Sequence, residues 1–419
     1  MEEILPRMQA RISRRGRSPI PIVVGTVFVD TIGFAMVLPL LPSYAARLGV
    51  APASVGLLIA SYSAMQFLLA PLWGRVSDRI GRRPVLLVGL IGSVASYLLF
   101  AVADSFSLLL LSRVLDGASG ASINVAQAYL ADETRRTQRA RAMGIVGASV
   151  GMGFIVGPVL GGITAGIGTA VPGLMAAAIT LVNLVAALLF LPESRRNRTA
   201  TARPKPPVSW RVLATPMVVM FLGTLAFSVM YVVFPLFGEA QLGASRSTVS
   251  YWFAFIGLVV AAVQGGLLGR LVRAVGEVGS ARLGALLLAA GFLLIVPATG
   301  GGDTGIAFFA VLACLGAGFG MIGPSMTGLI SRSAPADRQG RYLGITQSTN
   351  SMARIVGPLV AGGIMQAQNA GTAFSASAVM AVIGLAIAAT MKARQKREGE
   401  KERRREGENE RQTPEHGEG

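Results

Sequence analysis

Gly74-Arg-Val-Ser-Asp-Arg-Ile-Gly-Arg-Arg-Pro-Val-Leu86 is a short basic link between two long apolar runs, and its reading decides the fold. Gly74 and Gly81 lack a Cβ, so the chain is expected to reverse tightly here between two helices. Pro84 suits the first turn of the second helix, where a missing N–H costs nothing. Arg75, Arg79, Arg82 and Arg83 mark the link as cytoplasmic if its flanks cross a membrane. Asp78 has two readings, a local pair with one of these arginines or a seat at the positive end of a neighbouring helix.

Composition supports the membrane premise. Hydrophobic residues make up 52% of the 419 and charged residues 14%, against about 25% charged in soluble domains, and mean hydropathy is +0.59. The net charge of +17 would suit a nucleic-acid partner if it lay on one face, but the basic residues lie between apolar runs and at the two ends, which excludes that class. Cys314 is the single cysteine, so neither an intrachain disulfide nor a cysteine metal site is expected. His416, the single histidine, lies in a polar tail, which leaves carboxylates to carry any proton-linked chemistry. No phosphate-binding G-x-x-x-x-G-K-[ST] loop occurs, and neither enzyme activity, metal nor cofactor is expected.

Twelve apolar segments follow one another, at 20–41, 53–73, 84–103, 106–131, 142–165, 170–191, 212–238, 248–268, 281–300, 304–330, 342–365 and 371–391. Most approach the ~20 residues that cross a bilayer. With the N-terminus inside, 25 of the 38 lysines and arginines fall on the cytoplasmic side before the last span and 9 in the C-terminal tail, whereas the outside loops hold only Arg47 and Arg246. Both termini are therefore expected in the cytoplasm. The reading divides the chain into a tail (1–19), a six-helix half (20–191), a cytoplasmic linker (192–211), a second six-helix half (212–391) and a charged tail (392–419). Residues 143–162 align without gaps to 343–362, with Gly144/Gly344, Ile155/Ile355, Gly157/Gly357, Pro158/Pro358 and Gly162/Gly362 among the identities. Such a repeat is what two halves related by an axis along the membrane normal need. Gly269 and Gly276 repeat Gly74 and Gly81 at a shift of 195, but Arg273 stands where Asp78 does, so the two links are expected to be inequivalent.

The first link resembles the signature G-x-L-a-D-r-x-G-r-K between helices 2 and 3 of the major facilitator superfamily, with Val76 for Leu and Arg83 for Lys. The resemblance implies an all-α membrane protein of twelve helices in two pseudo-symmetric halves, with Gly74, Asp78, Arg79, Gly81 and Arg82 as a cytoplasmic latch. Gly153-Phe-Ile-Val-Gly-Pro-Val-Leu-Gly-Gly162 matches the pattern G-x-x-x-G-P-x-x-G-G of that family's exporters. The four-residue spacing of Gly153, Gly157 and Gly161 by itself predicts a groove for a neighbouring helix, with Pro158 and Gly162 in the same packing motif. Residues 30–42 and 128–132 are similar to the tetracycline-efflux group of drug:proton antiporters.

Ionisable groups within spans are costly and are read as functional. Asp30 lies about 15 Å into the first span, near the midplane, where the resemblance implies an acid that exchanges protons. Arg113 and Asp116 are three apart on span 4 and share a face. The family motif l-x-x-R-x-x-q-G implies a proton-coupling arginine at 113, and Asp116 replaces its usual Gln, either neutralising Arg113 or adding a second proton site. Tyr62, Gln66, Asn124 and Gln127 in the first half, with Phe227, Tyr231, Trp252, Gln264, Gln347, Asn350 and Arg354 in the second, make up a mixed aromatic and polar pocket for amphipathic molecules. Spans 8 and 9 hold no acid and no histidine, so a metal-chelate ligand lacks partners there. The expected function is export of small amphipathic compounds in exchange for protons, by a monomer in the inner membrane, with a sugar or metabolite transporter of the same fold as the alternative.

Overall fold

The computed structural model describes residues 20–120, 122–134, 139–194, 210–302, 304–333 and 339–412. The N-terminal tail 1–19, most of the linker, Arg139, Arg141 and Arg341, the side chain of Asn124 and the tail residue His416 lie outside the described residues or side chains. The described residues form helices and no strands. Among the described residues nine segments are by themselves long and apolar enough to cross a bilayer. One of them, Arg246–Leu294, is divided at Gly276, whose φ of 75° is open to glycine and strained for other residues. With Phe106–Ser119/Ser122–Glu133 and Gln339–Ala367 added, the arrangement is consistent with twelve crossings.

Spans 1 to 6 are Ile20–Arg47, Pro52–Ile80, Arg82–Ala101, the broken pair Phe106–Ser119 and Ser122–Glu133, Arg139–Ile167 and Val171–Phe190. Spans 7 and 8 are Leu213–Leu242 and 246–275. Span 9 covers 277–294, and spans 10 to 12 are Ile306–Ser333, Gln339–Ala367 and Ala370–Gln412. The first span of each half tightens into one 3-10 turn, Leu38–Leu40 and Val229–Tyr231. The last helix continues beyond 391 to Gln412, past the expected end of the membrane segment.

Span 4 is interrupted between Ser119 and Ser122, where the apolar pattern predicts an unbroken helix. A break inside a membrane is tolerated only where its freed backbone groups find partners. Span 2 supplies them: Trp73 Nε1 donates to the Ala118 carbonyl at 2.7 Å, and Gln66 Nε2 to that of Gly120 at 3.0 Å. Gly117 allows the contact, since a Cβ there would collide with the backbone of Tyr62.

The repeat of 200 residues is also a repeat of packing. Gly153, Gly157 and Gly161 lie against Thr31, Ala35 and Met36 of span 1, as Gly357 lies against Ser228 of span 7. Gly162 faces Tyr251 of span 8 in the other half, and Gly362 faces Pro52 of span 2. Spans 5 and 11 thus each pack on the first span of their own half and on a span of the opposite half.

Contacts between halves gather at one end. There Ser43 hydrogen-bonds Glu239, the Arg246 guanidinium stands 5.7 Å from the Tyr44 ring centre, and Gly56 lies against the Pro358 carbonyl. Toward the end that carries Gly81 the same helices part. A Cβ at Gly74, Gly144, Gly147, Gly151, Gly265 or Gly344 would meet nothing within 4 Å. The molecule is closed at its Ser43 end and open at its Gly81 end.

Candidate functional site

Two adjoining cavities lie between the halves. The first, of about 160 Å³, is lined by Asp30, Tyr62, Gln66, Gln347 and Arg354, with the Phe34 ring tilted 31° against that of Tyr62 at 4.5 Å between centres. The second, of about 230 Å³, is lined by Phe227, Tyr231, Phe253, Phe319, Gln264 and Asn350. Phe227 and Phe319 lie nearly parallel at 4.0 Å, a slab for a planar apolar group. Thr224 donates to Asn350 Oδ1 at 2.6 Å. Phe154 and Arg354 belong to the walls of both cavities.

Trp252 departs from expectation. It is 4% exposed among Phe234 and Phe308, because it faces the packed interior of the second half. Gln127 is half-buried on span 4 and reaches neither cavity. Phe34, Phe154 and Phe319 went unremarked in the sequence, since a phenylalanine in an apolar run carries no periodic mark that separates lining from core.

Asp30 is half-buried and opens on the first cavity. Arg113 and Asp116 stand behind that wall, 1% and 3% exposed. Arg113 Nη1 pairs with Asp116 Oδ2 at 2.9 Å, and its guanidinium lies 5.5 Å from the Phe100 ring centre. Asp116 thus pairs with Arg113 through one guanidinium nitrogen, while Arg113 Nη2 is buried without a hydrogen-bond partner.

The latch differs from the expected loop. Gly74 to Ile80 are the last turns of helix Pro52–Ile80, and Gly81 alone (φ 106°) breaks the chain before helix Arg82–Ala101 begins. Gly74 is helical and does not reverse the chain. Arg82 is the hub: Nη1 reaches Asp78 at 2.7 Å and Ser77 Oγ at 2.7 Å, while Nε reaches Asp132 on span 4 at 3.1 Å. Asp78 therefore pairs locally, and Arg79 is exposed. The positive helix end belongs instead to Glu193, whose Oε1 accepts from the backbone N–H of Arg82 at 2.7 Å and of Arg83 at 3.3 Å. A linker reading hid Glu193, for nothing local distinguishes a capping acid from a solvated one.

The second half carries the same device with its charges reversed. Glu277 follows Gly276 as Arg82 follows Gly81, and it pairs with Arg332 at 2.9 Å as Arg82 pairs with Asp132. Arg273 for Asp78 completes the inversion. The two links, expected to be inequivalent, are equivalent in position and opposite in sign.

A sequence model of the Major Facilitator Superfamily matches residues 23–358. The chain belongs to the major facilitator superfamily. This transporter is 32% identical over 354 residues to the class C tetracycline resistance protein of Escherichia coli, spanning 81% of the chain and 87% of that protein. It is 27% identical to the quinolone resistance protein NorA of Staphylococcus aureus, over 81% and 87% of the two chains. Its structure resembles the human organic anion transporter MFSD10 with a TM-score of 0.66 at 25% identity, over 88% and 98% of the two chains. The fold is that of multi-pass membrane transporters for small molecules, and among the described residues no group of acids, cysteines and histidines is placed to hold a metal ion.

Proposed function

We propose that this transporter exports small amphipathic, drug-like compounds in exchange for protons by alternating access. The observation that carries the reading is a carboxylate, Asp30, in the wall of a cavity between the halves that adjoins an aromatic slab. Resistance proteins named for tetracycline and quinolone among its relatives support the same direction of transport. In this reading the Gly81 end faces the cytoplasm, both termini lie inside, and the chain works as a monomer in the plasma membrane. The tails 1–19 and 392–419 and the linker 192–211 are then cytoplasmic, flanking the halves 20–191 and 212–391. Compound and proton compete for the cavity, Asp30 is the exchange site, and Arg113–Asp116 holds the helices behind it. In the latch of Gly74, Asp78, Arg79, Gly81 and Arg82, the Arg82 guanidinium ties spans 2, 3 and 4 of the first half together at the cytoplasmic end.

Proton movement evoked by a drug in inverted vesicles tests this, with wild type beside Asp30→Asn. Dissipation of the gradient by wild type alone is expected. Equal responses from both would remove Asp30 from the exchange, and no response to any drug would favour a metabolite transporter.

A further inference from the structure

Spans 2 and 8 hold matching places in the two halves, yet their starts and their ends match at different offsets. Span 2 begins at Pro52 and span 8 at Arg246, an offset of 194. Their buried faces agree at that same offset, pairing Val55 with Val249, Leu58 with Trp252 and Ala60 with Ala254. The breaks of positive φ that end the two spans, Gly81 and Gly276, are 195 apart. Span 8 therefore holds one residue more than span 2 between the same two landmarks. That residue is taken up at Val263–Leu267, a π turn closed by i→i+5 rather than i→i+4 bonds.

The π turn divides a held segment from an open one. Before it, Gly257 lies against the Phe154 carbonyl of span 5, and Val259 fills the space beside Gly316 of span 10. Within it, Gln264 to Leu267 are exposed, and a Cβ at Gly265 or Gly266 would meet nothing within 4 Å. Pro71 of span 2 stands at the same level, 194 residues before Gly265, and its missing N–H takes one bond out of that helix. Two related helices are thus weakened at one level by different means. A π turn can pass along a helix by exchanging its bonds one at a time, and each residue it passes rotates by about 100° and shifts by about 1.5 Å. We propose that the extra residue of span 8 is a hinge for closure of the Gly81 end. As that end closes, the π turn moves toward Gly276 and the residues it passes rotate, while the segment from Arg246 to Val259 stays in place. Pro71 lets span 2 bend at the same level. The device touches no substrate, so it holds or fails independently of the export reading.

The test is deletion of Gly265 in the full-length protein, purified into lipid nanodiscs. Spin labels on Ile80→Cys and Val275→Cys, both exposed at the Gly81 end, report the distance between the halves in a Cys314→Ala background, and no compound is needed. Without Gly265 span 8 can run as one α-helix, so the variant is expected to fold with a thermal midpoint at or above that of the parent. Its distance distribution is expected to lose the short, closed population that the parent shows. Pro71→Ala is expected to deplete the same population. As a control, deletion of Leu69 from span 2, which has no extra residue, turns the end of that helix by about 100° and is expected to lower the midpoint sharply. Loss of folding on deleting Gly265, or equal tolerance of the Leu69 deletion, would show that span 8 carries no extra residue. A folded Gly265 deletion with the parent's distances would make the π turn a packing irregularity with no part in closure. Unchanged distances in Pro71→Ala would overturn the pairing with span 2.

Discussion

At the scale of single residues, two glycines that look alike in the sequence have different work. Gly81 holds a φ of 106°, and a Cβ there would run into the Glu193 carboxylate. Gly74 is helical with open space beside it. Gly81→Ala is expected to destabilise the purified protein by about 1 kcal/mol or more, and Gly74→Ala to leave it unchanged or raise its thermal midpoint. Equal midpoints for the two variants would contradict the assignment of the break. The buried Arg113–Asp116 pair makes a second prediction. Removing one partner as Arg113→Met or Asp116→Leu leaves an uncompensated charge and costs about 3–5 kcal/mol, and the double variant costs less than either single change. Additive losses in a double-mutant cycle of thermal stability would show that the groups do not act as a pair. Asp30, Arg113 and Asp116 were legible in the sequence because charge inside a span is rare. Their relation was not, since spacing places two groups on one face without saying which cavity they reach.

Among elements, the repeat of span 5 in span 11 was legible as identities, and the packing follows it glycine by glycine. The second latch was hidden by its inverted signs. Arg273 in place of Asp78 reads as loss of the device until Glu277 and Arg332 are seen paired across spans 9 and 10. Exchanging both charges, Glu277→Arg with Arg332→Glu, is expected to retain transport that either single change reduces. A double variant no better than the singles would mean that the pair is incidental, as many exposed pairs are. The break in span 4 left no mark in hydropathy, because its freed carbonyls are met by Trp73 and Gln66 from another helix. Trp73→Phe removes one donor, and a loss of about 1–3 kcal/mol of stability is expected.

On the scale of the molecule, closure at one end and parting at the other define one state of a two-state cycle. The glycines at the open end, Gly147 on span 5 and Gly265 on span 8, face nothing in this state. Gly265→Leu is therefore expected to fold and to bind compound from the Gly81 side, yet to lose transport, because closure of that end brings span 8 against the other half. Retained turnover would show that the end does not close there. The central claim is exchange of compound for protons through Asp30, and the most direct measurement is compound flux in proteoliposomes driven by an imposed pH gradient. Wild type is predicted to accumulate compound in the compartment of higher proton concentration, with Asp30→Asn carrying it only down its own gradient. Accumulation by Asp30→Asn equal to wild type, or wild-type flux indifferent to the pH gradient, would contradict the account.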